Sequence, residues 1–599
     1  MERASRSLSG FSAIQLLGVF CLELAGFAEP FSENPLPHIS RHPNVVVILT
    51  DDQGHGDLGF HGNPVLHTPN IDRLARQSVR FDYFYVSPVC APTRASLLTG
   101  RYNYRTGVVD TFLGRALMHP DEVTLGEMFA AAGYRTGIFG KWHLGDNYPL
   151  RAIDQGFQEA LVLKGGGIGQ PSDPPGGESY FDPILQHNGV PVKMKGYCSD
   201  VFTSAAMRFI TENRAQPFFV WLAFNAPHSP LQVPDSYYQL YKDLDFAHAG
   251  FPIFGHPLPR PPNREITAKT YGMIHNIDDN VGLILAKLDE LRVAKDTSVI
   301  FLTDNGPQEI RYNSGMLERK GSVHEGGIRV PFFVRWPGKL KAGGVVDRIA
   351  AHIDLAPTLL EACNVPKPAN VSFDGRSLWP LLHGNKVEWP DRTLYFQWHR
   401  GDAPELYRAF AARLQRYKLV QPIGATTNAP APAKSAFKLY DMLYDPLEIH
   451  NIAGERSDLV EQMRRGYEQW FKDVSSTRGY APPRIYLGTP QENPVTLTRQ
   501  DWRGPRAGWG TNSLGHWEVQ VAQDGLYDVT LRFPAVTDSC TAHFSLGEMT
   551  LEQTVSTSAA KCAFTSVRLT AGPARLEAWV ERNRRTFGVH YVGVNRVER

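Results

Sequence analysis

The sequence predicts an α/β fold built on a large, mixed but mainly parallel sheet flanked by helices, and three observations carry that prediction. First, three segments are continuous apolar runs rich in β-branched and aromatic residues: Asn44 to Thr50, Pro217 to Ala223 and Ser298 to Thr303. Such runs mark strands buried on both faces, as a parallel sheet requires. Second, helical periodicity fills the intervals, so strands alternate with helices. Third, each run ends at a polar cluster, namely Asp51-Asp52, the segment leading to His228, and Asp304-Asn305. Open α/β sheets collect their sites at the carboxyl ends of strands.

The elements follow in order. Residues 1–28 read as an export signal: Arg3 and Arg6 precede an apolar stretch from Phe11 to Phe27, and Gly26-Phe27-Ala28 supplies the small residues of a cleavage site. A membrane anchor is the competing reading, but the run is short and contains Glu23. Cys21 lacks a lipid-attachment context because Phe20 precedes it. The expectation is a secreted or periplasmic protein with no later membrane span. Residues 29–43 form a linker. A catalytic domain is expected over 44–385. Within it Thr68-Pro69 opens a helix with Thr as cap and Pro in the first turn. A second helix follows Cys90 and runs to Thr99 before Gly100, Gly137 to Gly140 forms a short strand, and Thr270 to Leu291 reads as a long amphipathic helix. The Gly-, Pro- and Ser-rich stretch 165–200 and the proline-rich stretch 245–265 are expected as surface loops that shape substrate access.

A smaller α+β subdomain is expected over 386–480, with a strand at Tyr395 to Trp398 and a last helix from Leu459 to Phe471. After Pro482-Pro483 the pattern changes to short alternating runs, Trp517–Val521, Tyr527–Leu531, Ala542–Leu546 and Arg575–Trp579, separated by Gly and Asp turns. This predicts an extra C-terminal β-sandwich over 483–599.

With 42% hydrophobic and 21% charged residues, the chain is globular rather than disordered. A formal net charge of +1 gives no electrostatic basis for nucleic-acid binding. Of six cysteines, Cys21 leaves with the signal, and the rest are too sparse for a disulfide framework. Cys540 and Cys562 can pair in an oxidising compartment, which still leaves an odd cysteine for another use.

Two adjacent carboxylates at a strand end, Asp51 and Asp52, repel each other unless a cation neutralises them. Asp304 and Asn305 add two more oxygen donors at a second strand end, and such a set suits a hard ion such as calcium or magnesium. Cys90 lies at the start of a helical stretch beside Arg94, a setting that lowers a thiol pKa.

The words around these residues identify a family. Cys90-Ala91-Pro92-Thr93-Arg94 followed by Leu97-Leu98-Thr99-Gly100-Arg101 resembles the signature of the sulfatases, with Thr93 where Ser is commoner. Further matches are Gly133 to Gly145, Ala226-Pro227-His228-Ser229-Pro230, Thr303-Asp304-Asn305-Gly306, Lys320 to Pro331, His352 to Thr358, and Leu439 to Pro446. They run in family order from about 44 to 455, which makes the ordered set far more specific than any single word.

The resemblance implies an alkaline-phosphatase-like fold and a sulfuric ester hydrolase of the arylsulfatase-like, formylglycine-dependent type. It implies oxidation of Cys90 to 3-oxoalanine (formylglycine) by a formylglycine-generating enzyme. The hydrated aldehyde attacks sulfur, and its second hydroxyl then expels sulfate. One Ca2+ ion is implied at Asp51, Asp52, Asp304, Asn305 and modified Cys90. Arg94 is implied to hold the diol, Lys141 and His143 to contact sulfate and diol, and His143 to act as base. His228 and Lys320 are implied to grip sulfate on the leaving-group side, one of them protonating the departing oxygen.

The long loops and the sandwich favour a sulfated carbohydrate over a small sulfate ester as substrate. His55, His61, Arg311 and His399 are ambiguous. Trp502, Trp509 and Trp517 are either sugar platforms or core residues of the sandwich, the latter being the commoner use. A two-metal phosphoryl hydrolase is disfavoured because Asn305 stands where a histidine ligand is needed, whereas a phosphonate monoester hydrolase remains a rival. An inactive carbohydrate-binding protein is opposed by the presence of every residue that the chemistry needs.

Overall fold

The computed structural model describes residues 42–384, 388–426 and 437–597. The export signal and most of the linker therefore lie outside the described residues. No helix among the described residues is long and apolar enough to cross a membrane.

The main sheet has ten strands in the order 345–346, 79–81, 332–335, 297–303, 44–50, 218–223, 135–141, 159–163, 184–187 and 190–193. Its centre is parallel: Asn44–Thr50 pairs with Thr297–Thr303 on one side and Phe218–Ala223 on the other, and Arg135–Lys141 extends the parallel run. Antiparallel strands close both sides. The two-faced burial expected of the first strand is visible residue by residue. Val45, Val47 and Leu49 join one apolar core, shared with the helices Cys90–Thr99 and Leu355–Ala362. Val46 and Ile48 join the opposite core, beneath the helices Pro69–Arg76, Cys198–Glu212 and Arg264–Glu290.

Several local expectations shift. The helix expected after Cys90 begins at Cys90 itself. The long helix starts at Arg264, because the Asn263 side chain caps it by accepting from Ile266 N. The 165–200 stretch is not all loop: Ile184–His187 and Val190–Lys193 form a hairpin that adds two strands to the sheet. Asn188-Gly189 is its turn, both residues adopting positive φ as a two-residue hairpin turn demands. That turn signal was present in the sequence.

The smaller subdomain is a four-stranded antiparallel sheet, Leu394–Gln397, Phe410–Arg413, Tyr417–Gln421 and Lys438–Asp441, backed by the helix Ser457–Ser475. A buried ion cluster ties it to the region of the main sheet. Lys418 Nζ lies 2.8 Å from Glu325 and 2.9 Å from Glu448, all three side chains being fully buried. Burial by itself raises the Glu448 pKa, but Lys418 and His324 outweigh it and hold it from 4.5 down to about 2. A lowered folded-state pKa contributes stability that is complete above about pH 4.5 and lost as the pH falls towards 2. Lys418→Met should therefore destabilise by about 3–5 kcal/mol, because it strands buried carboxylates. Its melting temperature at neutral pH should drop well below that of the wild type, with the gap narrowing in acid.

The C-terminal region is a two-sheet sandwich. One sheet carries Ile485–Leu487, His516–Val521, Gly572–Arg582, Cys540–Leu546 and Met549–Val555, with Arg585–Gly588 beside Gly572–Arg582. The other carries Val495–Thr498, Tyr591–Val597, Gly525–Arg532 and Lys561–Leu569. Trp502 and Trp517 are fully buried in its core and are no sugar platform. Cys540 and Cys562 sit on strands of opposite sheets, and both are buried free thiols rather than the disulfide the spacing allowed.

Candidate active site

Register brings the polar strand ends together. Thr50 is paired with Thr303, Leu49 with Ala223, and Gly140 with Ala223. The residues just beyond those pairs, Asp51, Asp304, Asn225 to His228 and Lys141, must then line one edge of the sheet. A Cβ at Gly140 would fall 1.8 Å from the Ala223 carbonyl oxygen, so only glycine permits this approach next to Lys141. Asp52 and His143 both take left-handed backbone conformations, φ 62° and 64°. These are uncommon for residues with side chains and concentrate at functional sites.

The helix Cys90–Thr99 places Cys90 at this edge, and Asp51, Cys90 and Asp304 each offer a ligand atom within 4.8 Å of one another. The cations are interleaved with the acids. Lys141 Nζ is 2.5 Å from Asp51, and Lys320 Nζ is 2.6 Å from Asp52. Arg94 donates from Nε and Nη2 to one Asp304 oxygen at 3.1 and 2.8 Å, and from Nη1 to the Lys141 carbonyl at 2.9 Å. Asn305 Nδ2 donates to Asp52 at 2.8 Å, leaving its oxygen free. On the four candidate oxygen ligands Asp51, Asp52, Asp304 and Asn305, three buried oxygens lack any hydrogen-bond partner: Asp51 Oδ1, Asp52 Oδ2 and Asn305 Oδ1. Orphaned buried acceptors are costly unless something positive satisfies them. Three on adjacent donor residues fit an oxygen-liganded cation.

The electrostatics follow from burial first. Burial raises the Asp304 carboxyl to about 6, helped by Asp51 and opposed by Arg94 and Lys141. Burial also pushes Asp52 up, but Lys320 and His228 outweigh it and hold that carboxyl below its ordinary value. For Lys320, Asp52 overcomes burial and keeps the ammonium charged. Cys90 departs from expectation. Burial raises its thiol pKa, with Lys141 and Lys320 opposing, so the helix start does not make it a thiolate. The hydroxyl of Thr93 donates to the Ser87 carbonyl at 3.1 Å, and the residue is wholly buried, so the threonine at this motif position is accommodated inside the helix start.

His143 Nε2 lies 2.8 Å from the Thr111 carbonyl. A carbonyl only accepts, so Nε2 carries the proton and Nδ1 keeps its lone pair. Nδ1 is buried without a partner. Burial and Lys141 drive this imidazole well below its usual pKa, so it is neutral at pH 7. His228 is likewise neutral, lowered to about 3 by burial against the pull of Asp52. Its Nδ1 donates to the Ser229 carbonyl at 2.7 Å, which leaves Nε2 as the acceptor.

Cys90, His143, His228 and Lys320 face one cleft of about 480 Å³. Asp51, Asp52, Asp304, Asn305, Arg94 and Lys141 lie in its buried floor. The ambiguous residues resolve differently. Arg311 binds Asp57 and the Asp52 carbonyl, at 2.6 and 2.8 Å, and so braces the acidic turn. His55 stacks on His61 at 3.7 Å and both pack the loop. His399 is buried and does not line the cleft, whereas its neighbour Arg400 does. Sequence reasoning missed Thr111, Phe112, Gly166, Gln170 and Arg400. Only the run Gly165-Gly166-Gly167 signalled itself: a Cβ at Gly166 would fall 2.4 Å from His143 Nε2, so this loop closes over the site because it lacks side chains.

Comparison with known proteins fits this geometry. The sulfatase family model matches residues 43–365, and the model of the N-sulphoglucosamine sulphohydrolase C-terminal region matches 315–472. The chain is 32% identical to human arylsulfatase A over 476 residues, covering 72% of this chain and 87% of that protein. It is 31% identical to human N-acetylgalactosamine-6-sulfatase over 388 residues, 60% of this chain and 69% of that one. Among solved structures it resembles Ps i-CgsB in complex with k-i-k-neocarrahexaose, with TM-score 0.62, 27% identity, and coverage of 73% of this chain and 94% of that chain. The chain belongs to the sulfatase family and is a sulfuric ester hydrolase.

Proposed function

We propose that the chain hydrolyses sulfate esters of carbohydrates through Cys90 oxidised to formylglycine, beside one calcium ion. The observation that carries this reading is the trio of partnerless buried oxygens, Asp51 Oδ1, Asp52 Oδ2 and Asn305 Oδ1, on residues that include or adjoin the Asp51, Cys90 and Asp304 cluster. Asp51, Asp52, Asp304 and Asn305 would hold the ion, and an all-oxygen set favours calcium over softer metals. When bound, the ion supplies positive charge for the sulfate and for the nucleophile. When formed, the hydrated aldehyde supplies a nucleophile that a thiol cannot replace.

The other roles follow from protonation state and position. Lys320 keeps its proton and offers an ammonium to the leaving oxygen from the cleft side. His228, neutral, presents Nε2 to the same region. His143 has its Nε2 proton tied to Thr111 and its Nδ1 lone pair available, the state a general base needs at neutral pH. Arg94 fixes Asp304 and the Lys141 backbone, so it holds the floor rigid. The carbohydrate preference draws support from the relative in complex with k-i-k-neocarrahexaose and from the N-acetylgalactosamine-6-sulfatases. Export by the N-terminal segment belongs to the same proposal.

The test is a rate comparison on p-nitrophenyl sulfate and a phenylphosphonate ester. Sulfate release should dominate, and Lys320→Ala should lower kcat/KM on the sulfate by about 10²–10³-fold. Faster cleavage of the phosphonate would overturn the reading.

A further inference from the structure

The matched family regions end at residue 472, yet the sandwich beyond them reaches the cleft. Trp509 lines the same cavity as Cys90, His143, His228 and Lys320. Of the three tryptophans that could have met a sugar, Trp502 and Trp517 are wholly buried, while Trp509 is 39% exposed. It stands edge-on to Phe112, ring centroids 5.2 Å apart at 73°, and the Arg400 guanidinium covers Phe112 at 4.6 Å. Trp509 and Phe112 thus form an apolar ledge at the rim of a cleft whose inner groups are charged or polar.

The ledge is fixed from the sandwich side. Arg499 Nη1 donates to the Trp509 carbonyl at 3.3 Å. The loop that carries Phe112 is tied down by Gln500, whose carbonyl accepts from Gly114 N at 2.9 Å and whose Nε2 donates to the Thr111 carbonyl at 3.0 Å. Arg503 donates to the Gly114 carbonyl at 3.1 Å, and Arg503 and Arg115 share Asp402 at 2.6 and 2.8 Å. Three parts of the chain, catalytic domain, subdomain and sandwich, meet at this one loop. The main chain on both sides of the ledge is tied down, so a ligand meets a surface whose backbone is already in place.

We propose that the sandwich supplies the leaving-group subsite, with Trp509 as a specificity-determining residue that stacks on the ring of the alcohol. The proposal rests on sulfate ester hydrolysis at Cys90. The sulfate must reach the cationic floor, so the alcohol points outward, and the rim where it emerges carries the ledge. Ring-bearing esters, of sugars or of aryl alcohols, present a flat apolar face to an indole, whereas a methyl ester presents none.

The experiment is calorimetric binding to the full chain carrying Cys90→Ala, which separates binding from turnover. The probes are p-nitrophenyl sulfate and methyl sulfate. Adding Trp509→Ala should weaken p-nitrophenyl sulfate about tenfold, the loss typical of a truncated aromatic anchor, and leave methyl sulfate within about twofold. Trp509→Phe should restore most of the loss. Equal weakening of both esters, an unchanged affinity for p-nitrophenyl sulfate, or no binding of either would overturn the subsite. Turnover of p-nitrophenyl sulfate by the unmutated chain is read separately: its absence removes the hydrolytic reading while the binding comparison still decides the ledge.

Discussion

Cys90→Ala should abolish sulfate release, lowering kcat by about 10⁴-fold or more, the scale on which removal of a nucleophile acts. The fold should survive, because the buried thiol is small and the helix it starts is held along its whole buried length. Cys90→Ser gives the sharper result. A serine has one hydroxyl where the hydrated aldehyde has two, so it can accept the sulfuryl group but cannot expel it. A single burst of p-nitrophenol, about one equivalent per chain, should be followed by silence, with the sulfuryl group retained on the protein. Mass measurement of the Cys90 peptide from active wild-type protein should show a loss of about 18 Da, sulfur being replaced by oxygen and two hydrogens being lost in the oxidation to the aldehyde. An intact thiol in fully active protein would falsify the proposed chemistry. The buried, protonated state of Cys90 makes that control meaningful, since the unmodified thiol is a poor nucleophile where it stands.

The second large effect concerns the metal. Three carboxylates, Asp51, Asp52 and Asp304, face three fixed cations, Arg94, Lys141 and Lys320. The protein groups alone therefore sum to neutrality, and a divalent ion turns the floor electropositive towards an anionic ester. Chelation should then cost activity far more than it costs stability. Dialysis against a calcium chelator is expected to lower turnover by roughly 10³-fold, with full recovery on adding calcium, because a Lewis acid at the reacting centre is removed. The melting temperature should fall only modestly, since Lys141, Lys320 and Arg94 remain bonded to the acids. A saturating ion at about a hundred times its Kd adds only about 2.7 kcal/mol by mass action. Unchanged turnover after verified removal of the ion would overturn the metal assignment, and wholesale unfolding would show that the charge balance described above is wrong.

Much of this was legible in the chain. The run from Asn44 to Thr50 announced a strand buried on both faces because five of its seven residues are β-branched and none is charged, and its alternate residues do enter two cores. The acids and amide that follow the buried strands announced an oxygen-rich site. The hairpin at 184–193 escaped because its two strands are short, and Pro191 obscures their alternation. Its Asn188-Gly189 turn was the signal to follow. The Cys540–Cys562 pairing that the spacing allowed is not formed: both are free thiols, on strands of opposite sheets, and spacing alone says nothing about which sheet a strand joins.

What the sequence determined by itself is the set of elements and the chemical inventory. Periodicity is a local property, and the motif words carry donors of the right type at strand ends. What only the tertiary structure decided is which groups meet. Parallel register set Thr50 beside Thr303, so that Asp51 and Asp304 share one pocket. Burial made Cys90 a protonated thiol and both site histidines neutral, an effect of the surrounding dielectric that no neighbour in sequence encodes. Chain separated by almost four hundred residues brought Gln500 to Thr111 and Trp509 to Phe112. Long-range packing, not local propensity, turned an appended sandwich into a wall of the active site.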